Sequence, residues 1–160
     1  MPNHCYNRVT IYGSDDTEEI REQIAKLKDI FEDEAIFTHF IPEPDWPNMP
    51  LLTSDEHYGT KYGNDGELPQ KVEDPFQRYV FQSTGITDQR WYDWRLKNWD
   101  TKWDAYDVSI DDDDPDQLDV TFNTAWSPPE AICHAIREQY PDLSVSWFYD
   151  EPGCEVAGYL

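Results

Sequence analysis

Residues 105–160 read AYDVSIDDDDPDQLDVTFNTAWSPPEAICHAIREQYPDLSVSWFYDEPGCEVAGYL. Within them the apolar period switches from that of a strand to that of a helix and back. Residues 105–110 form a strand candidate, and the acidic tract 111–116, with Pro115, makes a hairpin turn. Leu118, Val120 and Phe122 then alternate with polar residues, as a half-buried strand requires. Ser127 offers a helix cap and Pro128-Pro129 open the helix, a position that tolerates proline. Ile132, Ile136 and Tyr140 line its inner face, and Pro141 ends it. Leu143, Val145, Trp147 and Tyr149 alternate again; Glu151-Pro152-Gly153 turns the chain, and residues 155–159 can pair back as a last strand.

Outward from this block, the N-terminus begins a similar unit. Residues 7–12 (NRVTIY) form a β-rich run stopped by Gly13. Ser14 is the expected N-cap of a helix whose start is rich in acids, Asp15, Asp16, Glu18 and Glu19, as the helix dipole favours. Ile20, Ile24, Leu27 and Phe31 follow at helical spacing, and residues 35–41 form a strand or a helix end. From Pro42 the character changes: PEPDWPNMP has four prolines in nine residues and excludes helix and central strand. Residues up to about 75 read as an irregular excursion, 75–84 have room for a turn of helix, and 87–97 read as helical with Thr87 as cap. Setting aside 42–104 leaves βαββαβ plus an edge strand. That is an α+β, ferredoxin-like sandwich, with helices on one face of an antiparallel sheet. The expected organisation is one domain over 1–160, with its core in 1–41 and 105–160 and an insertion at 42–104. Trp91, Trp94, Trp99 and Trp103 are expected to pack that insertion onto the core.

Several runs carry a family likeness. They are Asn3, Cys5, Tyr6 and Asn7 before the first strand; Trp91-Tyr92-Asp93-Trp94-Arg95; residues 98–105 (NWDTKWDA); residues 122–129 (FNTAWSPP); and residues 149–153 (YDEPG). Together the chain resembles the YubB-like ferredoxin-like family, small proteins of phages, plasmids and bacterial chromosomes. The resemblance implies the same fold and a mobile-element setting. His4 stands where that family usually shows Trp, and Asp100 where it usually shows Gly. A Gly there implies an unusual backbone angle, so Asp100 is expected in a left-handed or bridging conformation.

Charge narrows the partner class. Acids outnumber bases 34 to 12, giving a net charge of −22, while 15 % of residues are aromatic. Disordered chains lack aromatics, so this is a folded domain with an acidic coat. Binding bare nucleic acid needs Lys and Arg to displace counterions, and an anionic membrane surface repels the chain. No apolar run is long enough to span a bilayer, the N-terminus has no signal-peptide pattern, and Cys5, Cys133 and Cys154 make no disulfide framework. The expectation is a cytoplasmic protein inside a host cell, bound neither to membrane nor directly to nucleic acid, with a basic host protein as partner. Nothing in the sequence fixes an oligomeric state.

The acids are uneven: residues 15–34 hold nine acids and three bases, and 107–119 hold seven acids and no base. Asp111, Asp112, Asp113, Asp114 and Asp116 are therefore the candidate contact residues of a non-catalytic binding protein, a possible DNA mimic or anti-defence inhibitor. Spread evenly over about 8,000 Å², the net charge is roughly fourfold more dilute than that of duplex DNA. Mimicry therefore needs the acids gathered on one face. The competing class is a ligand-binding module or enzyme centred on residues 91–105. There Trp94 and Trp103 would stack a ring, and Arg95, Asn98, Lys102 and Asp104 would orient polar groups. The plain alternative is a buried tryptophan cluster. No cofactor motif, P-loop or nucleophile elbow occurs. No metal site is expected: His4-Cys5 and Cys133-His134 are adjacent pairs, and the 111–116 tract lacks the glycine and distal glutamate of a calcium loop.

Overall fold

Alternating burial carries β1 (His4–Gly13) through the centre of a sheet in the structure, a computed structural model that describes residues 3–46, 90–111 and 113–160. Thr87, the helical turn expected at 75–84, residues 47–50 of the proline-rich run and Asp112 lie outside the described residues. Cys5, Asn7, Val9 and Ile11 point inward, and His4, Tyr6, Arg8 and Tyr12 are exposed. Gly13 stops the strand for a steric reason: a Cβ there would lie 2.3 Å from Ile20 Cγ2. The chain can enter the helix at this point only without a side chain.

Helix α1 (Glu18–Phe31) begins later than expected. Its N-cap is Thr17, whose hydroxyl accepts from the Ile20 amide at 3.4 Å, not Ser14. The chain needs residues 14–16 to pass from the strand over Ile20, and Asp15 and Asp16 therefore lie ahead of the helix. Ile20, Ile24, Leu27 and Phe31 are buried as their spacing demands. The 35–41 segment forms a short 3-10 turn (Phe37–His39). The Phe37 amide donates to both carboxylate oxygens of Asp104, at 3.1 and 3.2 Å.

Helix α2 (Arg90–Asn98) precedes β2 (Tyr106–Asp111) and β3 (Gln117–Ala125), which form the expected hairpin. Then come α3 (Glu130–Gln139), β4 (Leu143–Glu151) and β5 (Val156–Tyr159). All neighbouring strands are antiparallel, in the order β2-β3-β1-β4-β5. With α1 and α3 packed on one face, this is the ferredoxin-like arrangement, and β5 is the added edge strand. Ser127 does not cap α3. Pro128 and Pro129 hold the chain outside the helix, and Pro129 occupies the cap position without a side-chain bond. The Ala131 amide instead donates to Asp100 Oδ2 at 2.8 Å, and the Ser127 hydroxyl donates to the Asp100 carbonyl. Asp100 does this from the left-handed region, at φ 63°.

The chain divides into two compact units, 1–42 with 98–160, and 43–97. Residues 98–104, counted with the insertion on sequence grounds, thus belong with the sheet. Trp99 is fully buried there; its indole donates to the Ile41 carbonyl at 3.0 Å and its ring meets Phe37 edge-on. Buried Thr101 donates to the Ala125 carbonyl. The core also holds a polar knot. Asn7 donates to the Cys5 carbonyl at 3.1 Å and to Thr124 Oγ1 at 3.0 Å, and it accepts from Trp147 Nε1 at 3.0 Å. Without Asn7 the buried Trp147 indole N–H would lose its partner, whereas Thr124 would keep its bond to the Ser127 carbonyl.

Candidate functional site

The sheet topology gathers acids at one end. There β1 hands over to α1, β2 turns into β3, and α3 turns into β4. The first connection carries Asp15 and Asp16, the second Asp113, Asp114 and Asp116, and the third Asp142. Asp15, Asp16, Asp111, Asp113, Asp114 and Asp142 are exposed; Asp116 is half-buried. Arg21, from the first turn of α1, ties two of these segments together. Its Nε donates to Asp116 Oδ1 at 2.7 Å, and its Nη2 pairs with Asp16. The hydrogen bond from Arg21 holds the Asp116 carboxyl below the ordinary carboxylate range, and the same bond raises the Arg21 guanidinium. At the far corner, Asp111 and Asp119 face each other across β2 and β3. Asp119 accepts from the Thr10 hydroxyl at 2.5 Å and from the Gln117 amide at 2.6 Å. Sequence reading singled out the two acid tracts; the arginine that joins them went unread.

The residues of the tryptophan block have other neighbours. In the 43–97 unit, Trp94 meets Trp46 edge-on at 6.3 Å. Arg95 forms a bidentate pair with Glu43, at 2.9 and 2.7 Å, and its guanidinium lies 5.2 Å from the centre of the Trp91 ring. In the sheet unit, Asn98 is half-buried beside buried Trp99. Lys102 Nζ sits 4.6 Å above the Trp103 ring, which is 38 % exposed and edge-on to Tyr106. Asp104 is held by the amides of Phe37 and Ala105. Arg95, Lys102 and Asp104 thus all have partners within their own units.

The sheet face turned away from α1 and α3 carries a feature the sequence reading missed. Ladder register lines up Ser109, Thr121, Arg8, Phe148 and Tyr159 across all five strands. The next row along the strands holds Tyr106, Asn123, Tyr6, Asp150 and Ala157. Between them runs an open cleft of about 510 Å³. Exposed Arg8 stands at its centre and makes no ion pair or side-chain hydrogen bond among the described residues. The signal was present in the alternation of β1, where Tyr6, Arg8, Thr10 and Tyr12 share one side.

Nucleophilic chemistry finds little footing at the cysteines. Burial pushes the Cys5 thiol up to about 11 and raises Cys133 as well. The hydrogen bond with Glu151 raises exposed Cys154. A thiolate is the reactive form, and all three sites disfavour it. Among the described residues no group of three His, Cys, Asp or Glu side chains is placed to hold a metal ion. No helix among them is long and apolar enough to cross a membrane.

Comparison with a family model reaches the same fold over residues 98–160. No curated protein matches the chain. A crystal structure described as a protein Api92 from Yersinia pseudotuberculosis aligns with 99 % of this chain and 93 % of its own, at 10 % identity and a TM-score of 0.49. A family model matches residues 98–160, and it is the one described as the ferredoxin-like domain in Api92-like protein. The matched segment contains β2, β3, α3, β4 and β5, so four of the five strands of the sheet lie in a region similar to that ferredoxin-like domain.

Proposed function

We propose that this chain is a non-catalytic binding protein that presents its acidic end to a basic surface of a host protein. The observation that carries the reading is the Arg21 clasp. It joins the acids ahead of α1 to those of the β2–β3 hairpin, through an arginine 95 residues before Asp116 in sequence. Charge gathered on one end steers a basic partner, whereas the same charge spread evenly serves mainly solubility. Kinship with the YubB-like family and residence on a phage or mobile element belong to this proposal. So does its sharper form, a DNA mimic that inhibits a host nucleic-acid enzyme. The rival reading, a ligand pocket or enzyme centred on residues 91–105, has less support, because Arg95, Lys102 and Asp104 already have partners.

The test compares two triple neutralisations. Asp111→Asn, Asp113→Asn and Asp114→Asn remove three charges from the acidic end. Asp29→Asn, Glu32→Gln and Glu34→Gln remove three exposed charges at and beyond the C-terminal end of α1. A partner captured from host lysate is titrated with each variant at several salt concentrations. The first set should weaken binding and flatten its salt dependence, since exposed charges act over a Debye length of about 8 Å. Equal effects from the two sets would mean that position is irrelevant and the acidic-end reading fails.

A further inference from the structure

We infer that the open face of the sheet is a second binding site, for a small ring-bearing ligand with one anionic group, carboxylate or phosphate monoester, seated on Arg8. The site is separate from the acidic end and does not depend on that reading.

Three observations converge. The first is Arg8 itself. In a chain with 34 acids and 12 bases, an exposed arginine at the centre of a sheet makes no ion pair among the described residues. Guanidinium groups recognise planar anions through paired hydrogen bonds. The second is the aromatic set around it. Phe148 is the direct cross-strand neighbour of Arg8 on β4, and Tyr159 follows on β5, its ring 5.3 Å from that of Phe148. Tyr6, 51 % exposed, lies in the adjacent row. Neighbouring strands are ~4.8 Å apart, so a ring lying over Phe148 keeps its anionic substituent within reach of Arg8. The third is the charge of the flank. Asp150 and Asp107 line the same cleft, and Asp107 is turned into it by a bulge in β2, where it accepts from Asn123 at 3.1 Å. These carboxylates repel a second anionic group away from Arg8 and accept from ring N–H groups.

The arrangement selects by size and charge. The cleft of about 510 Å³ is large enough for a small molecule. A polyanion gains one cation and meets Asp107, Asp150 and a net charge of −22. A ring-free anion gains only an exposed ion pair, which water weakens. A ring with one anionic group gains both contacts, because stacking adds to the charge.

The experiment is an amide chemical-shift titration of the full chain with five probes. They are 4-aminobenzoate, adenosine 5′-monophosphate, adenosine, inorganic phosphate and a short single-stranded oligonucleotide. Saturable shifts confined to β1, β3, β4 and β5 are expected with 4-aminobenzoate or the nucleotide, and which of the two saturates first assigns carboxylate or phosphate. Arg8→Gln should raise the dissociation constant about tenfold or more, as loss of a charge-assisted contact requires. Arg8→Lys should fall between, and Phe148→Leu should weaken ring-bearing probes while leaving inorganic phosphate unaffected. Arg8 is exposed, so an unchanged melting temperature will show that its variants remain folded. The inference is overturned if neither ring-bearing anion saturates, if Arg8→Gln binds as the parent does, or if inorganic phosphate or adenosine binds equally well. Tighter binding of the oligonucleotide than of the mononucleotide also overturns it and reassigns the face to single-stranded nucleic acid.

Discussion

Asn7 is the point at which the core is most exposed to a single change. Replacing it with leucine keeps the branched shape and removes three hydrogen bonds, to the Cys5 carbonyl, to Thr124 and from Trp147. Thr124 retains its bond to the Ser127 carbonyl at 2.7 Å, so its hydroxyl is not orphaned. Trp147 is fully buried and donates its indole N–H to Asn7, so that donor is stranded. A stranded buried donor costs about 1–3 kcal/mol, and each of the other bonds contributes about 1 kcal/mol. The apolar atoms gained by leucine offset about 1 kcal/mol. The net expectation is a loss of about 2–4 kcal/mol, a fall in melting temperature of roughly 4–16 °C for a chain of this length. Urea unfolding followed by tryptophan fluorescence measures it. Trp147→Phe removes the stranded donor, so Asn7→Leu should cost about 1–2 kcal/mol less in that background. A loss below about 0.5 kcal/mol for Asn7→Leu in the parent, or strict additivity of the pair, would refute the view that Asn7 satisfies the indole.

Asp100→Ala loses both the cap on α3 and tolerance of the left-handed angle, about 2–3 kcal/mol in all, whereas Asp100→Gly loses mainly the cap; chemical denaturation showing Ala no worse than Gly would sink this account. Gly13→Ala drives a Cβ into Ile20 and should lose about 1–3 kcal/mol, part of which Ile20→Val restores by making room; an unperturbed Gly13→Ala melting curve would contradict the steric reading. Arg21→Gln should raise the Asp116 carboxyl midpoint toward the ordinary ~3.9, as read by carboxyl-detected NMR titration. The sign follows from linkage: a depressed carboxyl stabilises the fold above its unfolded pKa and loses that contribution as pH falls through the folded value. The stability gap between parent and Arg21→Gln should therefore narrow in acid, and a gap that widens would exclude the Arg21–Asp116 pair as its source.

Local signals along the chain were enough to place most of the elements and their order. Period-two alternation at 118–122 and 143–149, helical spacing at Ile20, Ile24, Leu27 and Phe31, and turn chemistry at 111–116 and 151–153 are local signals. A chain with those periods has few ways to bury its apolar sides, and the ferredoxin-like sandwich was legible for that reason. The left-handed angle at Asp100 was legible through a resemblance rather than a period. Caps were less so: Ser14 and Ser127 have the right chemistry, yet Gly13 against Ile20 and two prolines before α3 moved the helix starts beyond their reach. Partners across the sheet had no such local signal. Register set Arg8 beside Phe148 and Thr121, folding brought Arg21 to Asp116, and Asp100 reached Ala131 to cap a helix 31 residues away. None of these pairs has a spacing in the sequence, because side chains from separate strands and helices become neighbours only when burial of the apolar face closes the fold.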